Sequence, residues 1–326
     1  MRVCIVGAGA IGGFIGARLA SVGRSEVSVL ARGATLAALR SHGWRLRQGD
    51  KVIQASAHAS DHAAELGAQD LVVIAVKGQS LPQVAQSIAP LLGPDTAVMP
   101  AMNGVPWWFG AGVPELQGAP LESVDPGGTI GAAIAFERVV GCVVHVSASV
   151  AEPGLVQHRI GQGLIVGEPR AGSSDRVERI AGLLEHAGFD ATRSPDIRRD
   201  IWYKLWGNMT MNPVSAITGA TGDRILSDPL VRAFNSAAMR EAAAIGARLG
   251  CPIEQSPEDR HATTAKLGAF KTSMLQDVDA GRPIELDAIV GVVHELGQRL
   301  GVPTPNIDAL FGLARLFGRT RGLYPQ

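Results

Sequence analysis

The chain is poor in the features that would mark it for an unusual setting. Thiols are scarce, with only Cys4, Cys142 and Cys251 among 326 residues. An odd number of widely spaced cysteines makes neither a disulfide framework nor a zinc site, and it suits a reducing, cytoplasmic compartment. Net charge is also missing. Thirty basic residues balance thirty acidic ones, which leaves no footprint for nucleic acid or for a membrane surface. No apolar run approaches the roughly eighteen residues that would span a bilayer. The start has no lysine-rich leader and no small-residue cleavage site, and glycines break its apolar run, so it does not read as a signal peptide. The eight histidines show no ligand-like spacing, so no metal is expected. Internal repeats and low-complexity tracts are absent.

What remains is globular in composition, 46% hydrophobic and 18% charged. The length suits two domains rather than one core. Forty glycines, spread without a period, point to tight turns and close packing. "RVCIV" reads as a buried strand, and Ile11 to Val22 as a helix stopped at Gly23. "EVSVLAR" is a second strand, Ala34 to His42 a second helix, and "WRLRQG" with "KVIQASA" an inserted hairpin. "DLVVIAVK" is the strongest strand signal, "LPQVAQSIAPLL" is helical, and "TAVMPAMNG" is a strand weakened by Pro100. Such alternation predicts a parallel sheet with right-handed crossovers.

From Gly128 to Glu168 short β-rich runs ("GAAIAFERVVGCVVHVSASV", "GLVQHRIG", "GLIVGEP") predict antiparallel strands. A helix from Ser174 to Ala187 and a last strand "FDATRS" follow. Beyond Pro195 only helices are expected, over Ile197–Val214, Pro229–Leu249, Pro257–Ala280, Pro283–Leu300 and Asn306–Phe317, with a frayed "GRTRGLYPQ" end. The expectation is an α/β Rossmann-type domain over 1–195 and an all-α domain over 196–326.

Gly7-Ala8-Gly9-Ala10-Ile11-Gly12 follows the first strand and opens the first helix, the context in which G-x-G-x-x-G binds a dinucleotide. The unpaired N–H groups and the dipole of the helix start attract the pyrophosphate. Gly7 permits the tight turn, Gly9 removes a Cβ from the path of the pyrophosphate, and Gly12 lets helix and strand approach. An NAD site usually carries an acid about twenty residues past the motif, on the ribose hydroxyl. Here the second strand ends "SVLARG", and Arg32 stands in that place. A guanidinium pairs with a 2′-phosphate, so NADP(H) is the expected cofactor. A solvated surface arginine is the plainer alternative.

In "IWYKLWGNMTMNPVSAITG", Lys204, Asn208 and Asn212 are spaced i, i+4, i+8 and share one helix face. They form a polar row beside Trp202, Leu205 and Trp206. Pro213 predicts a kink or an end near Asn212. On this evidence alone the row is equally a catalytic stripe or a pair of buried asparagines satisfying backbone groups at the kink.

Together these stretches resemble the ketopantoate reductase (2-dehydropantoate 2-reductase) family over nearly the whole chain. The resemblance rests on "GAGAIGG", "AVKGQ", "MNGV", "WYKLWGNMTMNPVSAITG" and "TSMLQDVDAGRPIELDAIVG". It implies an NADPH-dependent reductase of a small-molecule 2-oxo acid, with the active site in a cleft between the two domains. Lys204 is implied as the general acid that protonates the carbonyl oxygen during hydride transfer. Asn103, Asn208, Asn212 and Ser273 are implied as substrate-binding groups. Lys77, at the end of the preceding strand, would face the cofactor, as would Asn103 and, through its backbone, Ala135. Glu285 is implied as the acid that contacts the cofactor or orients the lysine. The alternative for Glu285 is an acid in the first turn of a helix, where the dipole favours one.

Two departures bear on the substrate. "VPWWFGAG" follows Asn103 where family members have a small or acidic run, so Trp107 and Trp108 either reshape the pocket for a bulkier 2-oxo acid or simply pack. Gly222 stands where another polar contact is expected. The runner-up readings are therefore a related 2-hydroxy-acid dehydrogenase for aromatic or branched substrates, and a non-catalytic NADPH sensor. The helices after Pro229 offer a homodimer interface, although an apolar helix face more often belongs to its own core.

Overall fold

The first strand, β1 (Arg2–Val6), is solvent-shielded from Val3 onward. It is the middle of a five-stranded sheet whose other members are β2 (Glu26–Leu30), β5 (His58–Ser60), β6 (Gln69–Ile74) and β7 (Leu92–Pro100). Their order is β5-β2-β1-β6-β7, and every pairing is parallel. The helices on this stretch are α1 (Ala10–Val22), α2 (Gly33–His42), α3 (Ala63–Leu66) and α4 (Leu81–Ser87). The hairpin β3 (Trp44–Gln48) and β4 (Lys51–Ala55) lies between α2 and β5, where the alternation of "WRLRQ" and "KVIQA" predicts it.

The hairpin belongs to a second sheet. After α5 (Thr129–Ala133) come β8 (Gly141–Glu152), β9 (Leu155–Gly167), α6 (Asp175–His186) and β10 (Asp190–Arg193). The order is β10-β9-β3-β4, with β8 antiparallel to β9. "GLVQHRIG" and "GLIVGEP" form one long strand rather than two, with its register shifted along β8 at His145/Ser147 and Ser147/Ala148. "GAA" at 131–133 is helical rather than extended.

Helix α1 packs against both sheets, which explains a composition with no polar face. Phe14, Ile15, Ala17 and Leu19 are all buried, each large side chain contributing about 1.5–3 kcal/mol of burial. A Cβ on Gly16 would lie 2.3 Å from the Trp44 ring, so the glycine admits the indole of β3. α6 starts on Ser174, whose Oγ accepts from Val177 N at 3.2 Å.

All residues, 1–326, are described in this computed structural model. They fall into two compact units, one of Met1–Asn103 with Thr129–Asp200, the other of Gly104–Gly128 with Ile201–Gln326. No strand follows β10. The second unit carries α7 (Ile197–Thr218) from Ile201 onward, α8 (Gly222–Ser227), α9 (Pro229–Arg248), α10 (Pro257–Ala265), α11 (Ser273–Asp279), α12 (Val292–Leu300) and α13 (Pro305–Thr320). None of the helices is long and apolar enough to cross a membrane.

Three expectations for the helices are corrected. α7 neither ends nor breaks at Pro213 but runs on to Thr218. A proline inside a helix costs about 3 kcal/mol or more, a cost of the same order as the burial of Met211 and Val214 beside it, at about 1.5–3 kcal/mol each. The stretch Pro257–Ala280 is two helices, α10 and α11, separated by 266–272. The stretch from Pro283 becomes helical only at Asp287, through a π-helical turn Asp287–Gly291 that leads into α12.

The Gly104–Gly128 excursion is tied into the helical unit by two charged side chains of α12. Glu295 accepts from Glu122 N at 2.9 Å and Ser123 N at 2.8 Å. Arg299 donates to Pro120 O at 2.6 Å and pairs with Glu295 at 2.7 Å.

Candidate active site

In the first unit the strand register gathers the candidate residues. Val6 of β1 pairs with Leu30 of β2 and with Ile74 of β6, and Ile74 pairs with Pro100 of β7. All four strands are parallel, so the segments after them lie on one sheet edge. That edge collects Gly7 to Gly12, Arg32, Lys77 and Asn103. β1 and β6 flank the point where successive connections leave in opposite directions, the crevice in which open α/β sheets bind ligands.

The glycines of the turn act differently from one another. Gly7 has φ +91°, and its N–H donates to Leu30 O at 3.0 Å. A Cβ on Gly12 would lie 1.9 Å from Gly7 O and 3.0 Å from Ala75 Cβ, so helix and turn close only with glycine there. Gly9 caps α1 with φ −74°, is exposed, and a Cβ on it would meet no protein atom within 4 Å. Nothing in the chain itself requires that glycine. No side chain caps α1 and no acid occupies its first turn, so the first N–H groups, at Ala10, Ile11 and Gly12, are aimed out of the helix with its positive dipole end. Ala8 is half-buried in the turn.

Arg32 is exposed at the start of α2, and its guanidinium donates to Gln83 Oε1 of α4 at 3.3 Å. Gln83 belongs to no motif in the sequence. Lys77 is half-buried and begins a short turn, Gly78–Ser80. Asn103 is half-buried in the loop after β7. Ala135 is exposed in the loop after α5, and its carbonyl accepts from Arg138 N at 3.0 Å; the strand register does not bring it to the shared edge.

In the second unit Lys204, Asn208 and Asn212 lie on one uninterrupted helix, α7, so the shared face survives Pro213. Lys204 and Asn208 are half-buried, whereas Asn212 is 4% exposed. The Nδ2 of Asn212 is buried with no hydrogen-bond partner, which is a costly condition for an amide. Ser273 is the exposed first residue of α11. It is placed beside α7 by a pair of hydroxyls that lie inside the quoted motifs but carry no role in the sequence reading. Thr272 Oγ1 lies 2.5 Å from Ser215 Oγ, and Ser215 Oγ donates to Asn212 O at 2.8 Å. Thr272 also caps α11, accepting from Leu275 N. Glu285 is half-buried, two residues ahead of the π-helical turn rather than inside a first helical turn.

Both departures are packed within the second unit. Trp107 and Trp108 are buried, at 6% and 3% exposure. Phe109 next to them stacks on Trp202 of α7, ring centroids 5.8 Å apart. Gly104 brings this stretch against the π-helical turn, where Val105 N donates to Ala288 O at 2.8 Å. Gly222 faces the Phe270 ring so closely that a Cβ would sit 2.2 Å from it, and Gly222 N donates to Phe270 O at 2.9 Å. An aromatic ring from the 266–272 connection fills the space a longer side chain at 222 would need.

Known proteins resemble the chain over its whole length. Residues 3–171 match the family model "Ketopantoate reductase PanE/ApbA" and residues 196–317 match "Ketopantoate reductase PanE/ApbA C terminal". The 2-dehydropantoate 2-reductase of Mesorhizobium japonicum is 45% identical, covering 99% of this chain and 100% of that protein. A crystal structure from Ralstonia solanacearum is 56% identical and covers 99% of both chains with a TM-score of 0.94. That of 2-dehydropantoate 2-reductase from Methylococcus capsulatus is 28% identical and covers 98% of both, with a TM-score of 0.84.

Proposed function

The chain belongs to the ketopantoate reductase family, and on that premise we propose that it reduces 2-dehydropantoate (ketopantoate) to pantoate with NADPH. The observation that carries the chemistry is the row on α7, an ammonium at Lys204 followed at helical spacing by amides at Asn208 and Asn212, with Lys204 and Asn208 half-buried on that one face.

The cradle at Gly9 fits a dinucleotide. The space over the α1 N-terminus admits a Cβ that the protein does not need to exclude, while a pyrophosphate held by the Ala10, Ile11 and Gly12 amides would need that space. Arg32, exposed and near Gln83, supports the phosphorylated nucleotide, because a guanidinium favours a 2′-phosphate. Lys77, Asn103 and the Ala135 backbone are assigned to the same ligand.

NADPH, when bound, supplies the hydride to the 2-oxo carbon. Lys204 donates a proton to the carbonyl oxygen as negative charge grows on it, and its ammonium stabilises that charge before the proton moves. Asn103, Asn208, Asn212 and Ser273 hold the carboxylate and hydroxyl of the substrate through directional N–H and O–H donors. Glu285 contacts the nicotinamide nucleotide or orients the Lys204 amine. The proposed setting is the cytoplasm, with a small-molecule 2-oxo acid as the partner and neither nucleic acid nor membrane, and a homodimer is the assembly to be tested by sizing in solution.

NADPH oxidation in the presence of ketopantoate tests the reading, with branched and aromatic 2-oxo acids alongside. Turnover of ketopantoate and a fall of about 10²–10⁴-fold in Lys204→Ala are expected. No turnover of any oxo acid, or an undiminished rate in Lys204→Ala, overturns it.

A further inference from the structure

The sequence predicts a frayed end over "GRTRGLYPQ", but the end of the chain is folded back. It leaves α13 at Thr320 and reverses at Gly322, where φ is +67°. Gly322 N donates to Arg319 O at 3.1 Å and Leu323 N to Gly318 O at 2.8 Å, a Schellman-like ending. Leu323 is 6% exposed. Arg319 Nε donates to Pro325 O at 2.9 Å. A Cβ on Gly318 would lie 2.7 Å from Tyr324 Cβ and 3.1 Å from Ile284 Cδ1, so α13, the tail and the Ile284 side chain are in close contact.

The tail grips the segment that carries Glu285 on both sides. Before it, Ile284 N donates to Leu323 O at 2.9 Å, and Ile284 is 1% exposed. After it, Tyr324 Oη donates to Asp287 Oδ1 at 2.5 Å. Residues 280–286 have no helix or strand of their own, so external contacts fix their path. Burial raises the Asp287 carboxyl above its ordinary value, against the lowering by Tyr324 and Arg315. Burial and the carboxyl together raise the Tyr324 hydroxyl, which keeps it a donor at neutral pH.

We infer that Tyr324 is a positioning residue, acting through its hydrogen bond to Asp287 and the neighbouring Leu323–Ile284 backbone bond to hold Glu285 in its working place. The assignment rests on the role given to Glu285 under the proposed function. A side chain that works only when its backbone is held within about half an ångström requires such support, and the π-helical turn beginning at Asp287 is the point at which the tail supplies it.

A double-mutant cycle on the full chain tests this, using steady-state NADPH oxidation with ketopantoate. Tyr324→Phe removes one hydroxyl and keeps the ring. It is expected to lower kcat/KM for NADPH about tenfold in the wild-type background and less than about twofold in a Glu285→Gln background. Asp287→Asn follows the same pattern and serves if Tyr324→Phe is poorly folded. Losses that multiply in the double variants assign the tail a merely structural role and overturn the inference. A Tyr324→Phe enzyme within about twofold of wild type also overturns it. Glu285→Gln kinetics equal to wild type bring down the Glu285 assignment itself, a failure separate from that of the tail.

Discussion

Gly9→Ala separates the ligand role of the α1 N-terminus from its structural role. The built Cβ meets no protein atom within 4 Å and φ is −74°, so alanine fits the backbone. Two small effects on stability oppose each other. Restricting the unfolded chain stabilises by about 0.4–1 kcal/mol, and replacing glycine by alanine at a helix N-cap costs a similar amount. The net change should lie within about 1 kcal/mol, or roughly 2–4 °C in Tm. Affinity should behave otherwise. A pyrophosphate held by the Ala10–Gly12 amides would meet the added methyl, and loss of one charge-assisted hydrogen bond, about 1.5–3 kcal/mol, weakens NADPH about 10- to 150-fold. Fluorescence titration of NADPH and thermal scans of the ligand-free protein read the two quantities separately. Gly12→Ala is the contrast, since its Cβ would lie 1.9 Å from Gly7 O, and it should lose fold and binding together. A Gly9→Ala protein that keeps both wild-type Tm and wild-type NADPH affinity would refute the cradle.

Arg32→Ala should raise KM for NADPH about 10- to 150-fold, the worth of a guanidinium–phosphate bond, and leave KM for NADH within about twofold; equal shifts would show that Arg32 does not read the 2′-phosphate. Gly222→Ala drives a Cβ to 2.2 Å from Phe270 and should destabilise by about 1–3 kcal/mol, with recovery in Gly222→Ala/Phe270→Leu; denaturant titration checks both, and no recovery argues against the ring as the cause. His261 is buried, and its Nε2 lies 3.0 Å from Ser236 Oγ. Desolvation, with Arg232 and Arg240, holds it below the ordinary 6.5 against the pull of Glu258. The unfolded chain therefore takes up the proton first as pH falls through about 6.5, and stability drops from there downward. His261→Asn should flatten that part of the stability–pH curve, and an unchanged slope would assign the effect elsewhere.

Features that depend on neighbours a few positions apart could be read from the residues in order. The turn from Gly7 to Gly12 is legible because strand, glycines and helix follow one another directly. The shared face of Lys204, Asn208 and Asn212 needs only the helical repeat. The β3–β4 hairpin announces itself by alternation and a short connection, though not its membership in a sheet with β9. Arg32 could be singled out by its place after β2, whereas Gln83, which it meets from another helix, carries no local signal.

What the order of residues could not disclose depends on contacts far apart along the chain. Gly104–Gly128 joins the helical unit because Glu295 binds amides more than 170 positions away, and α7 passes Pro213 in a stretch where Met211, Val214 and Ala216 are buried. Propensity reads Pro257–Ala280 and Pro283–Leu300 as continuous helices, but the cap at Thr272 and the return of the tail onto Ile284 and Asp287 interrupt them. Short-range periodicity is written in adjacent side chains, so it can be read without the fold. Burial, capping by distant carboxylates and the folded-back C-terminus exist only once the chain has closed on itself, because only then do those groups leave water together.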